Sequence, residues 1–153
     1  MYPEKLNSLI KELSALQYPQ DRMELLVSYA DKFNEVPEEV AKRPFPKESE
    51  VPFCESGAYV WTKQNPDGTL KFYFAIENPQ GISAMALAAI LDKTLSGETP
   101  KNILEIQEDV VEEIFGQALS MGKNMGLTGI LQKIKRDAKK YLNWMSLSFL
   151  LIG

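Results

Sequence analysis

One thiol and no imidazole set the chemistry open to this chain. Cys54 is its single cysteine, and histidine is absent from all 153 residues. A Ser-His-Asp or Cys-His site therefore cannot form within it, nor can a zinc site that uses histidine. A carboxylate-only metal site stays open in principle, but no acidic loop has the spacing for one. In "EDVVEE" (Glu108 to Glu113) the acids scatter as helix-face charges do. Met121 and Met125 are expected to pack, since two thioethers without a cysteine or histidine are too few to hold a metal.

Cys54 lies in "SEVPFCESGAYVWTK", between Pro52 and Gly57. A lone cysteine is commonly a small buried hydrophobe, but this one sits in a polar, turn-prone segment where the backbone meets solvent. Nothing adjacent in sequence is cationic, so no depressed thiol pKa is evident and a self-sufficient nucleophile is disfavoured. What remains is a thiol whose reaction another protein supplies. Its thiolate could attack a sulfur activated elsewhere, hold it as a persulfide and carry it away. Without a second cysteine, no internal disulfide can discharge that sulfur. The competing reading is an interaction or regulatory module in which Cys54 is inert.

The elements that must position this thiol follow from periodicity. Leu6, Leu9, Ile10, Leu13 and Leu16 predict an amphipathic helix over residues 4 to 16, ended by "QYPQ". Asp21 and Glu24 read as a capping box opening a second helix to about Asn34, with Met23, Leu26, Ala30 and Phe33 as its buried stripe. Four prolines between Val36 and Phe53 mark a loop with at most one helical turn.

The period then changes. "AYVWTK" and "LKFYFAI", separated by "QNPDG", predict a β-hairpin over roughly 58–64 and 69–76. Its aromatics, Tyr59, Trp61, Phe72, Tyr73 and Phe74, are expected to pack the sheet. Ser83 is expected to cap a helix to about Ser96, and Thr99-Pro100 to start another. A further helix is expected over 108–119, with Val111, Ile114, Phe115 and Ala118 on one face. "SMGKNMG" (Ser120 to Gly126) reads as a polar loop before the longest helix, marked by Leu127, Ile130, Leu131, Ile134, Ala138 and Tyr141.

These elements make an α+β fold, a small antiparallel sheet packed against several helices. Residues 1–142 form a single domain, followed by an apolar tail over 143–153. That tail is too short to cross a bilayer, which takes about 20 residues, so docking onto the core or a partner is expected. The N-terminus has neither the apolar core nor the cleavage site of a secretory signal, and a cytoplasmic protein is expected. A net charge of −4 argues against nucleic acid. Lys133, Lys135, Arg136, Lys139 and Lys140 read as a solvated helix face.

Two helices, a Pro-rich loop, Val-Pro-x-Cys-x-Ser, a Val-Trp pair, a hairpin with an Asp-Gly turn and a final Gly-Leu-x-x-Ile helix together resemble the SufE family of sulfur acceptors. The likeness spans roughly residues 6 to 142 and implies a SufE/NifU-like α+β fold. It implies that Cys54 accepts persulfide sulfur from a pyridoxal-phosphate cysteine desulfurase, stimulates that enzyme and delivers sulfur to an iron–sulfur scaffold. The chain itself would be an accessory protein without a cofactor of its own, and membrane is not among its implied partners. Glu55, Ser56, Glu77, Lys123 and Gly126 would meet the partner, and Trp61 would support the loop by packing. Where the family has glycine before the cysteine, this chain has Phe53, expected to restrict the backbone and shield the sulfur. Lys123 replaces an arginine, keeping charge but losing bidentate geometry.

Overall fold

The computed structural model describes the backbone of residues 2–116 and 119–152, with side chains through residue 142. In chain order the elements are α1 (Glu4–Ser14), α2 (Pro19–Ala30), β1 (Ala58–Gln64), β2 (Leu70–Ile76), α3 (Ile82–Leu95), α4 (Pro100–Leu104), α5 (Val110–Phe115) and α6 (Met121–Ile152). A single 3₁₀ turn, Lys47–Ser49, interrupts the Pro-rich segment. Together they make an α+β architecture: one antiparallel hairpin with helices packed around it.

The hairpin register is Val60 opposite Phe74 and Thr62 opposite Phe72. Because side chains alternate across a strand, this register divides the aromatics between two faces. Phe72 and Phe74 are buried in the core with Val60 and Leu70. Tyr59 and Trp61 face the other way and are covered by Phe45, whose ring lies 5.2 Å from Tyr59 and 5.0 Å from Trp61. The Pro-rich segment is thereby pinned over the hairpin.

A two-stranded sheet is marginal alone, and other segments cover both its edges. The Leu70 amide donates to Glu98 O and the Gly97 amide to Leu70 O, while Val51 N donates to Ala58 O on the β1 side. The last of these pairings leads straight into Cys54. Lys71 Nζ donates to Asp92 Oδ1 at 2.5 Å, tying β2 to α3.

Several helix boundaries differ from the sequence expectation. Pro19 does not merely end the first helix; it occupies the first turn of α2, where its missing N–H is not needed. Met23 is exposed rather than buried, although Leu26 and Ala30 are in the core. Gly81, not Ser83, is the N-cap of α3, whereas Thr99 Oγ1 accepts from Asn102 N and caps α4 as expected. The helix expected over 108–119 is shortened to α5, ended by Gly116 at φ +77°; Ala118 lies outside the described residues. Arg22 donates to the carbonyls of Glu113, Ile114 and Leu13, joining three helix ends.

The largest difference concerns α6. It starts at Met121, so most of the stretch expected to be a loop is its first turns, and its backbone continues through the apolar tail to Ile152. What the tail's side chains touch lies outside the described residues. Among those described, no helix is long and apolar enough to cross a membrane. The basic run is not one solvated face either. Lys133 is buried and donates to both oxygens of Asp137 at 2.7 and 2.9 Å, and Lys135 Nζ donates to Ile106 O. Asp137 also accepts from Thr62 Oγ1 at 2.9 Å, so the buried pair joins α6 to β1. Only Arg136, Lys139 and Lys140 of the five are exposed.

Removing one partner of a buried, hydrogen-bonded ion pair strands the other charge, which typically costs about 3–5 kcal/mol. Asp137→Ala is expected to lower stability by that amount in denaturant titration. Lys133→Met combined with Asp137→Leu is expected to recover most of the loss, because no charge is then left buried.

Candidate functional site

Cys54 sits between two consecutive turns. In the first, Pro52 is followed by Phe53 at φ +62°, an angle that ordinarily favours glycine or asparagine. In the second, the Gly57 amide donates to Cys54 O at 3.0 Å across Glu55 and Ser56. Gly57 has φ +65°, and a Cβ there would lie 3.0 Å from Glu77 Cβ. Both its backbone angle and its neighbour therefore call for glycine.

The second turn is stitched to the segment after β2. Glu77 N donates to Gly57 O at 2.9 Å and Asn78 N to Ser56 O at 3.0 Å. On its other side the loop lies against α6. A Cβ on Gly126 would stand 3.3 Å from Cys54 Cα and 3.6 Å from its Sγ, and one on Gly129 would stand 3.1 Å from Val51 Cγ1 and 3.3 Å from Pro52 O. Three residues apart, these glycines share one helix face. They form a shallow floor that lets the loop backbone approach the helix directly.

The thiol opens on a cavity of about 150 Å³ between the loop, the start of α3 and the start of α6; Ser56, Gly81, Ser83, Lys123 and Gly126 are among its lining residues. That is smaller than the roughly 300–1,000 Å³ of a typical small-molecule site. It has room for a few atoms beyond Sγ. Among the described residues no group of carboxylates and thiol is placed to hold a metal.

The expected site residues fall around this cavity in different ways. Ser56 faces Gly81, where an added Cβ would be 2.9 Å from its Oγ. Glu55 is exposed, and its Oε1 lies 3.8 Å from the Cβ position of Gly122, beside the first turn of α6. The positive end of a helix dipole favours a carboxylate there. Lys123 is exposed on that same turn, and Ser120 Oγ accepts its backbone N–H at 3.2 Å. Glu77 flanks the loop without lining the cavity. It accepts from Arg43 Nε at 3.3 Å, while the rest of that guanidinium grips Glu35 at 2.8 and 2.5 Å. Arg43 also lies 4.9 Å from the Phe45 ring centroid.

Two expectations at the site are corrected. Phe53 does not shield the sulfur: it is 85% exposed and points away from the core. Met121 and Met125 do not pack but are 82% and 59% exposed, on turns of α6 adjoining the loop. Gly129 and Arg43 were not singled out from the sequence. A glycine three residues beyond Gly126, in an otherwise apolar helical pattern, was the available signal for the first.

Cys54 is partly buried, and burial is the main influence on its ionisation, pushing the thiol above its ordinary value; Glu55 pushes the same way. The backbone N–H groups of Ser56, Ala58 and Gly57 work in the opposite direction, because they can hydrogen-bond a thiolate. The free chain thus keeps a protonated thiol at neutral pH, beside a ready set of amide donors for its anion.

Two measurements follow. The alkylation rate of Cys54 should rise with pH to a midpoint above the value near 8.5 of an unperturbed thiol, and guanidinium unfolding should bring that midpoint down. Gly126→Ala adds a methyl against Cys54 Cα, so it should displace the loop and speed alkylation at neutral pH. Helicity should not fall, since alanine favours a helix over glycine by about 1 kcal/mol.

Comparison with known proteins places the fold. A family model described as SufE, Fe–S metabolism associated domain, matches residues 7–138. A solution structure of a hypothetical protein from Thermus thermophilus shares the fold at a TM-score of 0.72. It is 23% identical, and the alignment covers 94% of this chain and 99% of that one. No curated protein matches.

Proposed function

The chain belongs to the SufE family of Fe–S metabolism-associated proteins, and from that premise we propose that it is a sulfur acceptor and carrier working through Cys54. Its donor is a pyridoxal-phosphate cysteine desulfurase that holds sulfur as a persulfide on its own cysteine. Its destination is an iron–sulfur scaffold. The observation that carries the reading is the site itself: one thiol at a doubly turned loop, opening on a cavity of about 150 Å³ that has room for an added sulfur, with no histidine in the chain to activate it.

The transfer balances without an oxidant. Cys54 gives up its proton and its thiolate Sγ attacks the outer sulfur of the donor persulfide. A new S–S bond forms at Cys54 as the donor's S–S bond breaks, and the donor cysteine leaves as a thiolate that can take the released proton. Two electrons move within the exchanging sulfurs and nothing is consumed. The raised thiol pKa fits a carrier that is quiet when alone. Ionisation is to be promoted in the encounter, where the amides of Ser56, Gly57 and Ala58 hold the anion.

In this account Glu55, Ser56, Glu77, Lys123 and Gly126 have separable roles. Gly126 is the floor under the loop, Ser56 and Glu77 hold the turn, and Glu55 and Lys123 offer opposite charges at its mouth. Docking of the desulfurase swings the loop outward, and the loaded persulfide then settles back into the cavity, away from reductants. Stimulation of the desulfurase follows if removing its persulfide limits its turnover.

The test is direct. Incubation with the desulfurase from the same organism and free cysteine should add the mass of one sulfur atom to the intact chain, mapped to Cys54, and should accelerate alanine release by the desulfurase. Cys54→Ser should abolish both. Absence of the adduct, with turnover unchanged, would contradict the reading.

A further inference from the structure

Phe53 is unusual on two counts. Its φ of +62° lies where a side chain is ordinarily avoided, and its ring is 85% exposed. Neither property helps the isolated chain: the backbone is strained, and a large apolar side chain faces water. Glycine would remove both costs at once. The position is also adjacent to the one thiol. Consecutive α-carbons lie about 3.8 Å apart, so a protein bringing a sulfur atom to Cys54 meets the loop on which this ring stands.

The surroundings extend the apolar surface. Phe53 O lies 3.5 Å from the Cβ position of Gly126, and the residue before that glycine is the exposed Met125, one turn from the exposed Met121. Ile82, 43% exposed, stands on the opposite lip of the thiol cavity. Of these apolar side chains Ile82 lines the thiol cavity, while Phe53, Met121 and Met125 stand exposed on the loop and helix segments beside it. Methionine adapts to varied surfaces, whereas an aromatic ring supplies contact area with little entropy lost.

We propose that Phe53 is the docking anchor of this site: its ring enters an apolar pocket that the sulfur-donating protein presents beside its persulfide, and this contact selects the donor. The proposal rests on the carrier reading above. The occupant is the donor protein, which on the carrier reading must reach Cys54 to load it; a contact made instead with the scaffold would leave loading by the desulfurase unchanged. The positive φ aims the ring away from the chain's own core, so burial of the ring is completed only in the complex. The chemical step is the persulfide transfer already written, unchanged in atoms and electrons; Phe53 sets which proteins arrive to perform it.

The experiment compares two sulfur donors on the full chain and on Phe53→Asn and Phe53→Gly. Asparagine tolerates positive φ without the ring, and glycine controls for backbone freedom. Donor one is the desulfurase with cysteine; donor two is inorganic polysulfide, which has no pocket. Loading of Cys54 by polysulfide should proceed at the unsubstituted rate in both variants. With the desulfurase, both should need a roughly 10- to 100-fold higher concentration for half-maximal loading, the range expected from losing burial of one aromatic side chain. Equal slowing with both donors would make Phe53 a residue that shapes the thiol and would overturn the proposal, as would unchanged loading by the desulfurase. An unsubstituted chain that polysulfide loads but the desulfurase does not would overturn the carrier reading itself, and the anchor with it.

Discussion

The close approach of the cysteine loop to α6 is the contact on which the site depends. Gly126 and Gly129 leave the helix bare where Val51, Pro52 and Cys54 cross it, so the loop meets the helix backbone with no helix side chain between them. That contact fixes how deep Sγ lies, and depth governs the ionisation of the thiol. It also demands the turns on either side. Val51 is held to β1 by its hydrogen bond to Ala58 O, and Ser56 and Gly57 are held to the segment after β2. The loop is therefore fastened at both ends and seated in the middle, and the cavity beyond Sγ is the space left over.

Most of the chain can be understood as what holds those two surfaces in register. The buried Lys133–Asp137 pair reaches Thr62 on β1, and Tyr141 donates to Thr62 O. Together they lock α6 against the strand that leads away from the cysteine loop. On the hairpin's other face Phe45, Tyr59 and Trp61 stack the Pro-rich segment in place, and Arg43 bridges it to Glu77 beside the loop. An absence of histidine and a single cysteine then make chemical sense. On the proposed carrier reading the chain supplies a seat and a thiol, and the partner supplies the reactivity.

The sequence made some of this legible and hid the rest for identifiable reasons. The hairpin stood out because aromatic and β-branched residues flank an Asp-Gly turn; its strands start and end within a residue of expectation. The start of α6 was hidden because Gly122 and Gly126 read as loop breakers, when Gly126 is there to admit another backbone. Lys133 looked like its neighbours in a basic run. Its burial is decided by Asp137 one turn on and by Thr62 on a strand far away in sequence, and no local pattern contains the second of these. Cys54 could be picked out as the candidate chemical residue by elimination. That Phe53 holds a positive φ with its ring in water depends on how the two turns meet, which composition does not encode.

The account is tested most directly by the structure of the chain after loading by the desulfurase. The seated-loop picture predicts a second sulfur on Cys54 lying in the cavity between Ser56 and Gly126, with the Val51 to Ala58 and Gly57 to Cys54 hydrogen bonds intact. A sulfur carried on an unseated loop in open solvent, or a Cys54 still bare after turnover, would contradict it.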